Sequence, residues 1–121
     1  MYQYKAKLAR VVDGDTLDAM VDLGFNVWIK VRVRLAGIDA FENRTRDKEE
    51  KKKGIVAKER LIEVLKSSNN EFSLISEGVG KYGRCIGKIY LTKNYIRSTK
   101  YHGKCINTML LKEGHAVPYE D

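Results

Sequence analysis

Polar and apolar residues alternate from the start of the chain, where Tyr2, Tyr4, Ala6 and Leu8 are spaced by Gln3, Lys5 and Lys7. A period of two predicts a strand. It runs through Val11-Val12 into Asp13-Gly14-Asp15, a turn rich in carboxylates. Residues 16–21 predict a second strand, and Asp22-Leu23-Gly24-Phe25-Asn26 has the composition of a hairpin loop. Residues 27–38 predict one long third strand. In it Val27, Ile29, Val31 and Val33 form an aliphatic face for the core, and Trp28, Lys30, Arg32 and Arg34 form an outer, cationic one.

Residues 43–53 are a charge run with almost no apolar content. From Gly54 the period becomes helical, with Ala57, Leu61, Val64 and Leu65 on one face. Asp47 followed by Glu50 resembles a capping pair, so the helix starts either there or at Gly54. Ser67-Ser68-Asn69-Asn70 ends it. Strands are expected at 71–77 and 84–91, joined by Gly78-Val79-Gly80-Lys81-Tyr82-Gly83. Residues 94–104 read as a polar, basic connection. Residues 106–113 read as a short helix burying Ile106, Met109 and Leu110, with Gly114 as its C-terminal glycine. The order is mainly β: five strands, a helix between the third and fourth, and a short C-terminal helix. That is the plan of a five-stranded OB-fold barrel, as a single domain over residues 2–119. Fold alone does not fix function.

Composition narrows the class. With 121 residues, 43% hydrophobic and 32% charged, the chain has material for one core and a solvated exterior. No apolar run approaches the ~20 residues of a membrane-spanning helix. The N-terminus lacks the apolar stretch of a secretory signal, which, if this is the native start, implies a cytoplasmic protein. Lys and Arg number 23 against 16 Asp and Glu, giving +7 and a preference for polyanions. Charge alone does not separate DNA from RNA or from an acidic membrane. Cys85 and Cys105 match no zinc spacing and read as reduced thiols rather than a bridge.

Three stretches concentrate polar chemistry: Asp13-Gly14-Asp15-Thr16, the segment from Arg34 to Glu42, and Lys81-Tyr82-Gly83-Arg84. Singly, each has a plain structural explanation: a turn, a strand end, a hairpin end. Together, Asp15 and Asp39 supply the hard oxygen ligands that Ca²⁺ or Mg²⁺ prefers. Arg34 and Arg84 can grip phosphate oxygens in bidentate fashion. Glu42 can hold or deprotonate a water. These are the parts of phosphoryl transfer, which rests on positioning and charge stabilisation. His102 and His115 have no partner at ligand spacing and read as surface or structural groups. For Trp28, packing is favoured over base stacking.

Over residues 2–119 the chain resembles the staphylococcal nuclease-like (thermonuclease) family, in its compact bacterial or phage form. The resemblance rests on Asp13-Gly14-Asp15-Thr16, on Arg34 through Asp39 to Glu42, on Lys81-Tyr82-Gly83-Arg84, and on the expected helix between the second and third motifs. It implies an OB-fold nuclease that binds Ca²⁺ through Asp15, Asp39 and the Ala40 carbonyl, with Asp13 behind them. Glu42 would activate or orient water, and Arg34 and Arg84 would stabilise the five-coordinate phosphorus. Lys81, Tyr82 and Tyr119 would contact the neighbouring nucleotide. The implied products are 3′-phosphate ends from DNA or RNA, with single strands favoured and the protein a monomer. Ala40-Phe41 stand where the family commonly has Thr-Pro, which changes the loop holding Glu42, and Gly80 stands where an acidic residue often precedes the third motif. The alternative is a domain that has lost catalysis and binds single-stranded nucleic acid.

Overall fold

A computed structural model describes residues 2–42, 45–81, 83–91 and 104–119. Five strands close into a barrel: β1 (Tyr2–Asp13), β2 (Thr16–Asp22), β3 (Trp28–Leu35), β5 (Glu71–Val79) and β6 (Cys85–Tyr90), in the order β1-β2-β3-β6-β5. All neighbours run antiparallel except β3 and β6. Closure leaves the barrel itself without an open edge among the described residues. Helix α1 (Lys48–Lys66) joins β3 to β5, and α2 (Ile106–Lys112) follows β6. This is the OB-fold barrel expected from the sequence. The core gathers Leu17, Val33, Leu35, Phe72, Leu74 and Ile89 from the strands, with Leu61 and Leu65 from α1 and Leu110 from α2.

Helix α1 starts at the Asp47 cap and not at Gly54. The Asp47 carboxylate accepts the amides of Glu49 and Glu50 at 3.0 and 3.3 Å, satisfying donors that the first turn would otherwise leave open. Ala57, Leu61, Val64 and Leu65 are its buried stripe, as the period indicated. Gly114 (φ 79) ends α2: its amide donates to the Leu111 carbonyl, and the His115 amide donates to that of Leu110. These two bonds are the Schellman closure, for which glycine is suited by its freedom at positive φ. Cys85 and Cys105 are both free thiols. Among the described residues, no helix is long and apolar enough to cross a membrane.

The third strand departs from expectation in three ways. It is not one strand over 27–38: it stops at Leu35, turns through Ala36-Gly37 (Gly37 φ 77), and resumes as β4 (Ile38–Ala40). β4 leaves the barrel to pair antiparallel with β7 (Ala116–Pro118), a strand that three residues after a glycine do not reveal by periodicity. The outer face of β3 is not uniformly solvated either, because Arg34 is 8% exposed. Finally, Val27 and Ile29 on the expected core face remain 48% and 42% exposed, at the loop end of β3, where the β2–β3 hairpin closes. Trp28 is partly exposed and carries the Lys7 ammonium 5.2 Å above its ring.

Candidate active site

The turn between β1 and β2 places Asp15 at the mouth of the barrel. Its main-chain carbonyl accepts the Leu35 amide at 2.8 Å, fastening the turn to the end of β3. Its carboxylate is buried: Oδ1 accepts the Thr16 hydroxyl at 2.9 Å, and Oδ2 accepts the Ala40 amide, also at 2.9 Å. Gly14 makes this approach possible. A Cβ there would meet the Ala57 Cβ at 2.8 Å and the Ala40 Cβ at 3.0 Å, so only glycine lets the turn press against α1 and β4 together.

Arg34 is the hub. Its Nη1 donates to the carbonyls of Leu35 at 3.1 Å and Ile38 at 2.7 Å, so the guanidinium spans the turn that separates β3 from β4. Nη1 also lies 3.5 Å from Asp15 Oδ2, and Nη2 lies 3.5 Å from Asp39 Oδ1. The Tyr119 ring packs against the same guanidinium, 5.3 Å from its centre. The Tyr119 amide donates to the Gly37 carbonyl at 3.0 Å, which anchors that ring beyond β7. One cation thus joins two carboxylates from separate elements, with Asp15 buried and Asp39 half exposed to solvent.

The remaining expected residues are placed by the elements that carry them. Glu42 is exposed, two residues beyond β4. Arg84 is half-buried immediately before β6, whose first residue, Cys85, pairs with Val33 of β3. Its carbonyl accepts the Gly80 amide at 2.8 Å, closing the turn that carries the exposed Lys81. Tyr82 lies outside the described residues. Asp13 ends β1, where its charge adds a smaller contribution to the raised pKa of Arg32, which comes first from the hydrogen bond to Asp18.

Sequence reasoning missed Asn107. It is buried on α2, where its Oδ1 accepts the Ile89 amide at 3.1 Å and its Nδ2 donates to the carbonyls of Ala36 at 2.9 Å and Gly87 at 3.2 Å. It thereby ties α2 and β6 to the turn that launches β4 and Asp39. The available signal was a polar residue between Ile106 and Leu110 on a short apolar stripe.

A family model of staphylococcal nuclease homologues matches residues 32–121. The chain belongs to this family. The matched span holds Arg34, Asp39, Glu42, Lys81 and Arg84. Asp15 precedes it and joins the cluster through the fold. The comparison with curated proteins gave no match. As a member of the staphylococcal nuclease homologues the chain is nuclease-like, and nucleic acid is a plausible partner.

The donor chemistry fits a hard divalent cation. Asp15, Asp39 and the Ala40 carbonyl offer oxygen only, the preference of Ca²⁺ and Mg²⁺ over softer metals. Among the described residues, no three His, Cys, Asp or Glu side chains gather as a cage. A bound Ca²⁺, which takes about six to eight oxygens, would therefore complete its shell with water and phosphate. Such an open shell leaves room for substrate.

Proposed function

We propose that this chain is a Ca²⁺-dependent nuclease that hydrolyses phosphodiester bonds in DNA or RNA, with single strands favoured. The observation that carries the reading is Arg34, held by two backbone carbonyls between the carboxylates of Asp15 and Asp39. Two acids and an immobilised guanidinium at one mouth are suited to a metal-bridged phosphate, whose charge they offset from opposite sides.

In this reading Asp15, Asp39 and the Ala40 carbonyl hold the cation. When bound, it supplies a Lewis acid that draws charge from a phosphate oxygen. Arg34 and Arg84 donate to the equatorial oxygens as the phosphorus becomes five-coordinate. Guanidinium groups match phosphate oxygens in a planar fork, and Arg34, already pinned by two backbone carbonyls, loses little further freedom in the transition state. Glu42 takes the proton from the attacking water, or orients that water, as its oxygen bonds to phosphorus. The bond to the 5′-oxygen breaks in line, the leaving oxygen gains a proton from solvent, and a 3′-phosphate end results. Lys81 and Tyr82 contact a flanking phosphate, and Tyr119 offers its ring to a base.

The test is cleavage of single-stranded DNA with Ca²⁺, with a chelator, and by Arg84→Ala with Ca²⁺. Loss of cutting in both the second and third arms is expected. Tight binding without cutting under every divalent cation would instead make the chain an OB-type single-strand binder.

A further inference from the structure

Beyond Asp39, on the far side from Tyr119, the chain builds a pocket of about 200 Å³ lined by Phe41, Lys52, Lys53, Val56, Gly114 and His115. It is assembled from three elements: the residue after β4, the first half of α1, and the turn from α2 into β7. Its volume is below the ~300 Å³ lower range of drug-sized sites, which suits one ring system. Phe41 and Val56 give it apolar walls, and Lys53 already sits with its ammonium 5.2 Å over the Phe41 ring. An aromatic ring that already attracts an ammonium, with a second lysine in the same lining, is the chemistry that holds a base together with its phosphate once the ammonium moves from the ring to that phosphate.

The position matters as much as the lining. In the β4–β7 ladder Ile38 faces Pro118, Asp39 faces Val117 and Ala40 faces Ala116. Extending that register sets Phe41 opposite His115 at one end and Gly37 opposite Tyr119 at the other. Asp39 is the middle residue of β4, so about 7 Å of chain separates it from Gly37 on one side and from Phe41 on the other. An aromatic residue therefore flanks the ladder at each end, Phe41 after β4 and Tyr119 after β7, with Asp39 between them. The same step accounts for Phe41, which replaces the proline expected from the family resemblance: at this position a ring forms a wall where proline would only stiffen the loop.

We propose that the Phe41 pocket is a nucleotide subsite. It takes the nucleoside on the opposite side of the reacting phosphate from Tyr119, with the base on Phe41 and Val56 and a phosphate on Lys52 and Lys53. The assignment rests on the nuclease reading for the position of the reacting phosphate, but its test does not require cleavage.

The thymidine dinucleotide TpT is titrated into the full chain in chelator, and the side-chain resonances of Phe41, Val56, His115 and Tyr119 are followed by NMR. All four should shift with one midpoint, and inorganic phosphate at equal concentration should leave Phe41 and Val56 in place. Phe41→Ala and the double variant Lys52→Gln/Lys53→Gln should each raise the midpoint about tenfold while Tyr119 still responds. A folded spectrum for each variant excludes collapse as the cause. Shifts at Tyr119 without shifts at Phe41 and Val56, or an unchanged midpoint in both variants, would overturn the proposal. A chain that shows these shifts yet never cuts DNA would keep the pocket and lose the hydrolytic reading, so the two fail separately.

Discussion

Arg32 and Arg34 stand two residues apart on one strand face, yet they sit in opposite kinds of electrostatic surroundings. Arg32 is exposed and makes a forked pair with Asp18, Nε to Oδ1 at 2.8 Å and Nη2 to Oδ2 at 3.1 Å, with Arg10 adding a third contact at 3.4 Å. The pair is self-contained: the Arg32 hydrogen bond holds the Asp18 carboxyl below its usual range against the opposing cost of burial, and Asp18 raises the Arg32 pKa in return. Arg34 is buried and touches each of its acids only at 3.5 Å, while its short bonds go to backbone carbonyls. In the first cluster charge satisfies charge. In the second, backbone carbonyls fix the cation, and its contacts to the two acids are the longer ones. The contrast separates an acid held by a forked arginine from an arginine held by backbone between two acids.

The largest expected effect breaks the Arg34 cluster. Arg34→Gln should lower kcat by about 10²–10³, the scale of one lost charge-stabilising donor. It should also lower the melting temperature in chelator, because Asp15 keeps its burial and loses its cation. Added Ca²⁺ should recover part of that stability, which thermal melts with and without the ion would detect.

Asp39→Ala comes next. In the wild-type chain, Ca²⁺ at a hundred times its Kd should add about 2.7 kcal/mol of stability. That gain should disappear in the variant, read as a Ca²⁺-independent melting temperature.

Asn107→Leu should cost about 1–3 kcal/mol by leaving the buried Ile89 amide and Ala36 carbonyl without the side chain that serves them. Because those bonds set the turn before β4, kcat should fall with stability. Chemical denaturation and steady-state rates on the same preparation would show whether both change together.

The smallest effect belongs to the other cluster. Asp18→Asn should leave kcat within about twofold, as expected for a residue outside the chemistry. A depressed carboxyl contributes stability above its unfolded pKa of about 3.9 and loses it as pH falls through the lower folded value. The melting temperatures of wild type and variant should therefore differ at neutral pH and converge below about pH 4. A constant gap down to pH 3 would remove the Asp18–Arg32 ion pair as the source.

Where one physical signal dominated, the sequence was a good guide to the fold. The Asp47 cap, the Leu61–Leu65 stripe of α1 and the Gly114 terminator were readable because each follows from local geometry. The break in the third strand was not, because the alternation of Val27, Ile29, Val31 and Val33 runs on into the apolar Leu35-Ala36, and only pairing with β7 shows that the chain leaves the barrel after Gly37. Of the site, the residue types were legible and their unequal roles were not. Arg34 read as a phosphate-gripping cation on the outer face of a strand, and its bonds across the Ala36-Gly37 turn were not foreseen. Gly14 read as a turn former, yet its main task is contact with Ala57 and Ala40. Asn107 had no sequence partner, since its three partners come from β6 and the Ala36 turn, distant in the chain.

The most direct test is single-stranded DNA cleavage in Ca²⁺ by three proteins side by side: wild type, Arg34→Gln and Arg32→Gln. The account predicts that the chelator silences the wild type, that Arg34→Gln cuts about 10²–10³-fold more slowly, and that Arg32→Gln stays within a few-fold of wild type. Equal losses in the two arginine variants, or cutting that persists in chelator, would contradict it.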